Sequence, residues 1–131
     1  MAVIVDTDIL IDYLQGLTPV VRQVKDLATE GRLKTTAISL FELLSGATDG
    51  RRGDAARSLA EIVDVLPLDR KSAIAAARIR RELDASGQAI GMGDSLIAGI
   101  CLAHDLPLLT RNKRHFARVR DLVLVEIYPS G

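Results

Sequence analysis

Val3-Ile4-Val5-Asp6 opens the chain: three apolar residues, two of them Val and one Ile, running straight into an acid. Four later segments share that character, at residues 33–38, 63–68, 106–110 and 122–127. None keeps a clean apolar/polar alternation over its whole length. Such runs suit strands buried on both faces of a parallel sheet. Between them the hydrophobic period lengthens. Thr18-Pro19 reads as a helix start, Thr as cap and Pro in the first turn. Val20, Val21, Val24, Leu27 and Ala28 then mark one apolar face, and Gly31 supplies the stop. A second helix begins within 39–47. A long one covers 70–86 and ends near Gly87, with Ala73, Ala76, Ile79 and Leu83 inward. Residues 94–103 are apolar nearly all round, so that helix is expected to be buried. Strands alternating with helices give an α/β fold: a central, mostly parallel five-stranded sheet with helices on both faces. The stretch 48–54, containing Gly50, Arg51, Arg52 and Gly53, reads as a loop. A boundary there would leave a fragment too small for its own core, so 1–131 is expected to be one domain.

Composition agrees with a packed core and narrows the function. Of the 131 residues, 48% are hydrophobic and 26% charged, the balance of a globular protein. Aromatics make up only 3% and Trp is absent, so the core has to be aliphatic. Cys101 stands alone, which excludes an internal disulfide and a cysteine metal cluster. The 17 basic residues balance the 17 acidic ones, which argues against a uniformly basic nucleic-acid binder and shifts weight onto where the charges lie. No apolar run approaches the roughly 20 residues that span a bilayer. The first residues lack the basic region of a secretory signal. A cytoplasmic protein without a membrane segment is the expectation.

In open parallel α/β sheets, ligands bind beyond the carboxyl ends of the strands. Asp6 closes the first strand, and Glu42 lies one turn into the helix after the second. Asp94 opens the buried helix behind Gly91-Met92-Gly93, and Thr110, Arg111 and Asn112 close the fourth strand. Three carboxylates and an amide are thus expected on one edge of the sheet. Convergent carboxylates repel one another and need a counter-charge. A hard divalent cation such as Mg²⁺ supplies it through oxygen ligands. The matching chemistry is phosphodiester hydrolysis, in which the metal activates a water without a histidine base. Between Arg111 and Arg120 lie five basic residues and no acid; of these, Arg111, Lys113 and Arg114 stand nearest the acidic edge and are candidates to grip RNA phosphates.

Each residue also has an architectural explanation. Asp6 and Asp94 suit helix caps, and Asn112 suits a turn. Ser39-Leu40-Phe41-Glu42 has capping-box spacing.

With these residues placed, the chain resembles the PIN-domain family, specifically the VapC-type ribonuclease toxins of toxin–antitoxin pairs. The matching stretches are Val5-Asp6-Thr7-Asp8-Ile9-Leu10-Ile11-Asp12, Ile38-Ser39-Leu40-Phe41-Glu42-Leu43-Leu44-Ser45-Gly46, Gly93-Asp94-Ser95-Leu96-Ile97-Ala98 and Leu109-Thr110-Arg111-Asn112-Lys113-Arg114-His115-Phe116. The resemblance implies a PIN-like three-layer domain and a metal-dependent endoribonuclease. It further implies a homodimer, inhibited by a small VapB-type antitoxin protein. Asp6 and Asp94 would bind Mg²⁺ or Mn²⁺, Glu42 would complete the acidic pocket, and Thr110 would support the carboxylates. Two positions depart from the pattern: Asn112 stands where many members have Asp and His115 where some have another acid, so one tightly held ion is expected, with any second one arriving with substrate.

Asp6-Thr7-Asp8 is also similar to the start of haloacid-dehalogenase-type phosphatases, with Asp6 as nucleophile and Asp8 as acid. Such enzymes need a Lys and a later pair of acids, whereas Asp94 stands alone. A PIN-like module with a decayed metal site, binding RNA or protein without cleaving, is the non-enzymatic alternative.

Overall fold

The computed structural model describes residues 1–130. Five parallel strands form one sheet: β1 (Val3–Val5), β2 (Leu33–Thr36), β3 (Asp64–Leu66), β4 (Leu108–Leu109) and β5 (Leu124–Val125), in the order β3-β2-β1-β4-β5. The α/β architecture is therefore as expected, with every pairing parallel. The strands are shorter than the apolar runs that announce them, because the ends of those runs turn into loops and helix caps.

Among the described residues seven helices connect the strands: α1 (Thr7–Leu14), α2 (Thr18–Thr29), α3 (Ala37–Ser45), α4 (Arg51–Ile62), α5 (Arg70–Ala85), α6 (Met92–His104) and α7 (Lys113–Phe116). They cover both faces. Val3 and Val5 of β1 join Ile9 and Leu10 of α1, Val24 of α2 and Leu59 of α4 in one core, while Ile4 joins Ile79 of α5, Ile97 of α6 and Phe116 of α7 in the other. That alternation is the period of two of a strand buried on both sides. Thr35 ties the centre together, its hydroxyl donating to the Val5 carbonyl at 2.8 Å.

Several local expectations need correction. Residues 51–54 are not a loop but the first turn of α4. The glycines that suggested a turn have another reason to be there: a Cβ on Gly53 would fall 1.4 Å from the Thr48 carbonyl oxygen, so the helix can pass that carbonyl only without a side chain. The α3 helix begins two residues earlier than its Ser39 suggests, because Thr36 is its cap and accepts from the Ser39 N–H at 3.0 Å. On α2 the cap is Leu17, not Thr18, and Gln23 is buried while Ala28 is exposed. The Gln23 amide donates to the Glu126 carbonyl at 2.9 Å and accepts from the Tyr128 N–H at 2.8 Å, strapping the chain after β5 to α2. On α5 it is Ser72 rather than Ala73 that faces inward. Among the described residues no helix is long and apolar enough to cross a membrane.

Candidate active site

β1 lies at the centre of the sheet. The chain steps outward from it to β2 and β3 on one side and returns to β4 and β5 on the other. The carboxyl ends of β1 and β4 therefore border the crevice where the strand order reverses, the usual ligand position in such sheets. Asp6 follows β1 directly, and its N–H still pairs with the Leu109 carbonyl of β4 at 2.9 Å. That bond places the Asp6 side chain beside Thr110, the first residue beyond β4.

Asp6 is both a helix cap and the most perturbed acid of the site. Its Oδ1 accepts from the Thr7 N–H at 2.8 Å, starting α1, and its Oδ2 accepts from the Thr110 hydroxyl at 2.7 Å. The residue is only 5% exposed. Burial, followed by repulsion from Asp8, pushes its carboxyl up from 3.8 to about 7. The two hydrogen bonds pull the other way, and the charge of Asp94 adds to the rise. Asp8 is also raised, chiefly by burial, even though the Arg111 N–H donates to its Oδ2 at 3.1 Å. Its Oδ1 is buried with no hydrogen-bond partner. A cluster of acids short of positive charge is what a cation site requires.

Asp94 is not the cap of α6. Gly91 holds that position, and Asp94 sits in the first turn, where the helix dipole favours a negative charge. Its Oδ2 accepts from the Asn112 amide at 3.2 Å, and His115 Nδ1 lies 3.6 Å from the same oxygen. Asn112 precedes α7 without capping it through its side chain, leaving that side chain free for Asp94. Glu42 likewise belongs to no capping box, since α3 starts at Ala37. Its Oε1 accepts from the Thr7 hydroxyl at 2.5 Å, and a Cβ on Gly93 would lie 3.1 Å from its Oε2. Glycine at position 93 thus lets the carboxylate of Glu42 close against the start of α6.

The structure thus gathers Asp6, Asp94, Thr110 and Asn112 at the switch point, with Glu42 at its rim. Among the described residues, no three His, Cys, Asp or Glu side chains close into a ready metal cage, so the expected three-carboxylate site is not preformed. Mg²⁺ does not demand one: it typically takes one or two carboxylates and keeps waters or substrate oxygens in its remaining positions. An all-oxygen donor set with a buried, protonation-prone carboxyl fits such an ion.

The basic stretch behaves differently from the sequence expectation. The Arg111 guanidinium points to Asp12, with Nη2 3.1 Å from Oδ1 and Nε 2.6 Å from Oδ2. Lys113 pairs with Glu126 at 2.6 Å. Arg114 is exposed and forms no ion pair among the described residues. Sequence reasoning missed Thr7 and Asp12 and gave Asp8 a place only in the phosphatase alternative. The spacing of Asp8 and Asp12, one helical turn apart, was the available signal once α1 is known to be a helix. The phosphatase alternative loses support here: both Asp6 oxygens are held by donors, and no Lys is among its partners.

Beside Glu42 a cleft of about 840 Å³ runs between α1, α3 and α4. Ile11, Leu14 and Ala47 give it apolar walls, and Arg51 and Arg52 stand at its edge.

The PIN domain family model matches residues 3–122. The chain is 32% identical over 123 residues to the tRNA(fMet)-specific endonuclease VapC of Shigella flexneri, covering 89% of this chain and 91% of that protein. It is also 32% identical over 120 residues to ribonuclease VapC10 of Mycobacterium tuberculosis, covering 92% and 90%. Among solved structures, the DNA-bound VapBC of Salmonella typhimurium superposes with a TM-score of 0.82 at 25% identity, over 95% of this chain and 97% of that one.

Proposed function

The chain belongs to the PIN-domain family, in its VapC branch, and on that premise we propose that it is a metal-dependent endoribonuclease, the toxin of a toxin–antitoxin pair. One observation carries the reading. At the switch point the buried Asp6 carboxyl is pushed up to about 7 by burial and by neighbouring acids, while Arg111, in the turn beside Thr110, is paired with Asp12. The site lacks a positive charge that a divalent ion would provide.

Asp6 and Asp94 would hold Mg²⁺ or Mn²⁺, with Glu42 on the rim. When bound, such an ion supplies a lowered water pKa and charge neutralisation at the phosphodiester. The protein's own groups do the rest. The Thr110 hydroxyl and the Thr7 N–H fix the two Asp6 oxygens and favour the ionised form. The Asn112 amide directs Asp94, and the Thr7 hydroxyl directs Glu42. Arg114, exposed and without an ion pair among the described residues, is the cation we assign to an RNA phosphate. The partner is a small antitoxin protein, and the cleft between α1, α3 and α4 is the surface we assign to a segment of it, with apolar side chains against Ile11 and Leu14 and acidic ones against Arg51 and Arg52. A homodimer is the assembly that we expect.

The test is incubation of the purified protein with structured RNA in Mg²⁺, in Mn²⁺ and in EDTA. Cleavage is expected only with metal, and Asp6→Asn and Asp94→Asn should abolish it while circular dichroism stays unchanged. Cleavage that survives EDTA, or persists in both variants, refutes the reading.

A further inference from the structure

Arg111 occupies the turn between β4 and α7, flanked by the site residues Thr110 and Asn112, and makes two attachments to α1. Its guanidinium embraces Asp12, whose side chain is 3% exposed. Its backbone N–H donates to Asp8 at 3.1 Å. Asp8 and Asp12 lie on the same face of α1, and Asp6 caps that helix. A single residue thereby fastens the turn carrying Thr110 and Asn112 to two successive turns of the helix that begins at Asp6. Among the described residues, no other ion pair joins these elements.

We propose that Arg111 is a positioning residue rather than an RNA contact: its pairing with Asp12 sets the spacing between the β1–α1 corner, which bears Asp6 and Asp8, and the β4–α7 turn, which bears Thr110 and steadies Asp94 through Asn112. The proposal rests on the ribonuclease reading of this site. Two physical arguments support it. A guanidinium drawn away to an RNA phosphate would strand the buried Asp12 carboxylate, a far worse outcome than losing an exposed pair. And the planar guanidinium meets Asp12 at two atoms, with a hydrogen bond from Nη2 to Oδ1 and a close ionic contact from Nε to Oδ2, which constrains direction more than a point charge does. Thr110 turns that fixed spacing into geometry at the acids, since its hydroxyl donates to Asp6 at 2.7 Å while accepting from the Asn112 N–H at 3.0 Å.

The test measures RNA affinity and turnover separately. Affinity is read by fluorescence anisotropy in EDTA over a salt series, and turnover at saturating RNA with Mg²⁺. Asp12→Asn removes a negative charge near the substrate, so a mere RNA-contact role for Arg111 gives equal or tighter binding and undiminished cleavage. Positioning instead gives a kcat lower by about 10–100-fold, the scale of a misplacement of roughly 1 Å, with affinity retained. Arg111→Lys keeps a phosphate contact but breaks the fork, and should lower kcat alone. Arg111→Gln risks unfolding by stranding Asp12, so the neutral pair Asp12→Asn/Arg111→Gln is the second variant. It should be more stable than Arg111→Gln alone and should bind RNA as wild type does. Wild-type turnover in Asp12→Asn overturns the proposal. So does weaker binding by the neutral pair with a salt dependence shallower by about 0.7, the value of one lost phosphate contact on a single strand. A wild-type protein that cleaves no RNA with any metal overturns the ribonuclease reading itself, a result separable from either of these.

Discussion

Replacing Asp6 by Asn should destroy cleavage and stabilise the metal-free protein. The magnitude follows from the carboxyl, which folding raises from 3.8 to about 7. Between those values the folded chain holds a proton that the unfolded chain has released, so stability falls as pH rises through that window and levels off above about 7. About three pH units at 1.36 kcal/mol each give about 4 kcal/mol of destabilisation at pH 8. Asn carries no charge and escapes that cost, but it offers one acceptor where Asp6 uses two. Losing the bond from Thr110 returns about 1 kcal/mol. The net gain at pH 8 is then about 3 kcal/mol, or roughly 10 °C in Tm for a domain of this size. At pH 4 the gain vanishes and the lost hydrogen bond leaves the variant slightly the weaker. The assay is thermal and urea denaturation of both proteins in EDTA, from pH 4 to pH 8. A variant that is less stable than wild type at pH 8, or whose advantage is independent of pH, refutes the account of Asp6 as a buried acid repelled by its neighbours.

Under the proposed function, the same carboxyl gives up its proton when a divalent cation binds. Metal affinity measured by calorimetry should therefore fall about tenfold per pH unit below pH 7 and level off above it, with proton release visible as a dependence on buffer ionisation enthalpy. Thr110→Val removes a donor to Asp6 and the acceptor of the Asn112 N–H. A loss of about 1–3 kcal/mol is expected in denaturant melts, with the Asp6 titration followed by NMR moving further upward. Gly93→Ala brings a methyl to 3.1 Å from Glu42 Oε2. It should shift Glu42 off Thr7 and slow cleavage, while stability changes by less than about 1 kcal/mol because Ala suits a helix better than Gly.

The strands and the site edge were legible in the sequence for one reason. A strand buried on both faces is a short apolar run, and the first polar residue after it stands at the carboxyl edge of the sheet. Asp6 and Thr110 are such residues, while Asp94 lies in the first turn of α6 and Glu42 in the second turn of α3. The α1 helix was harder to see, because only Asp6-Thr7-Asp8 separates the apolar β1 from Ile9-Leu10-Ile11, and that triplet reads as readily as a turn. The α4 helix was hidden by Gly50 and Gly53, whose composition says turn although Gly53 answers to a carbonyl packed against it. Arg111 and Lys113 looked like free cations because their acids, Asp12 and Glu126, lie elsewhere in the chain. A charge run shows how many cations are present and says nothing about which are already committed.

That commitment shapes the electrostatics of the whole edge. Burial first, and the charges of Asp8 and Asp94 after it, keep the proton on Asp6 up to about pH 7. A further acid at position 112 would add to this repulsion, since the residue there reaches to 3.2 Å from Asp94. Asn at that position instead donates a hydrogen bond to Asp94, so it brings a donor to that carboxylate where an acid would bring a second negative charge. Asn112 therefore fixes the direction of Asp94 without adding negative charge to the edge. It leaves Asp8, with an oxygen that no protein group satisfies, as the remaining carboxylate near the switch point. For a site so arranged we propose a single bound ion rather than a preassembled pair.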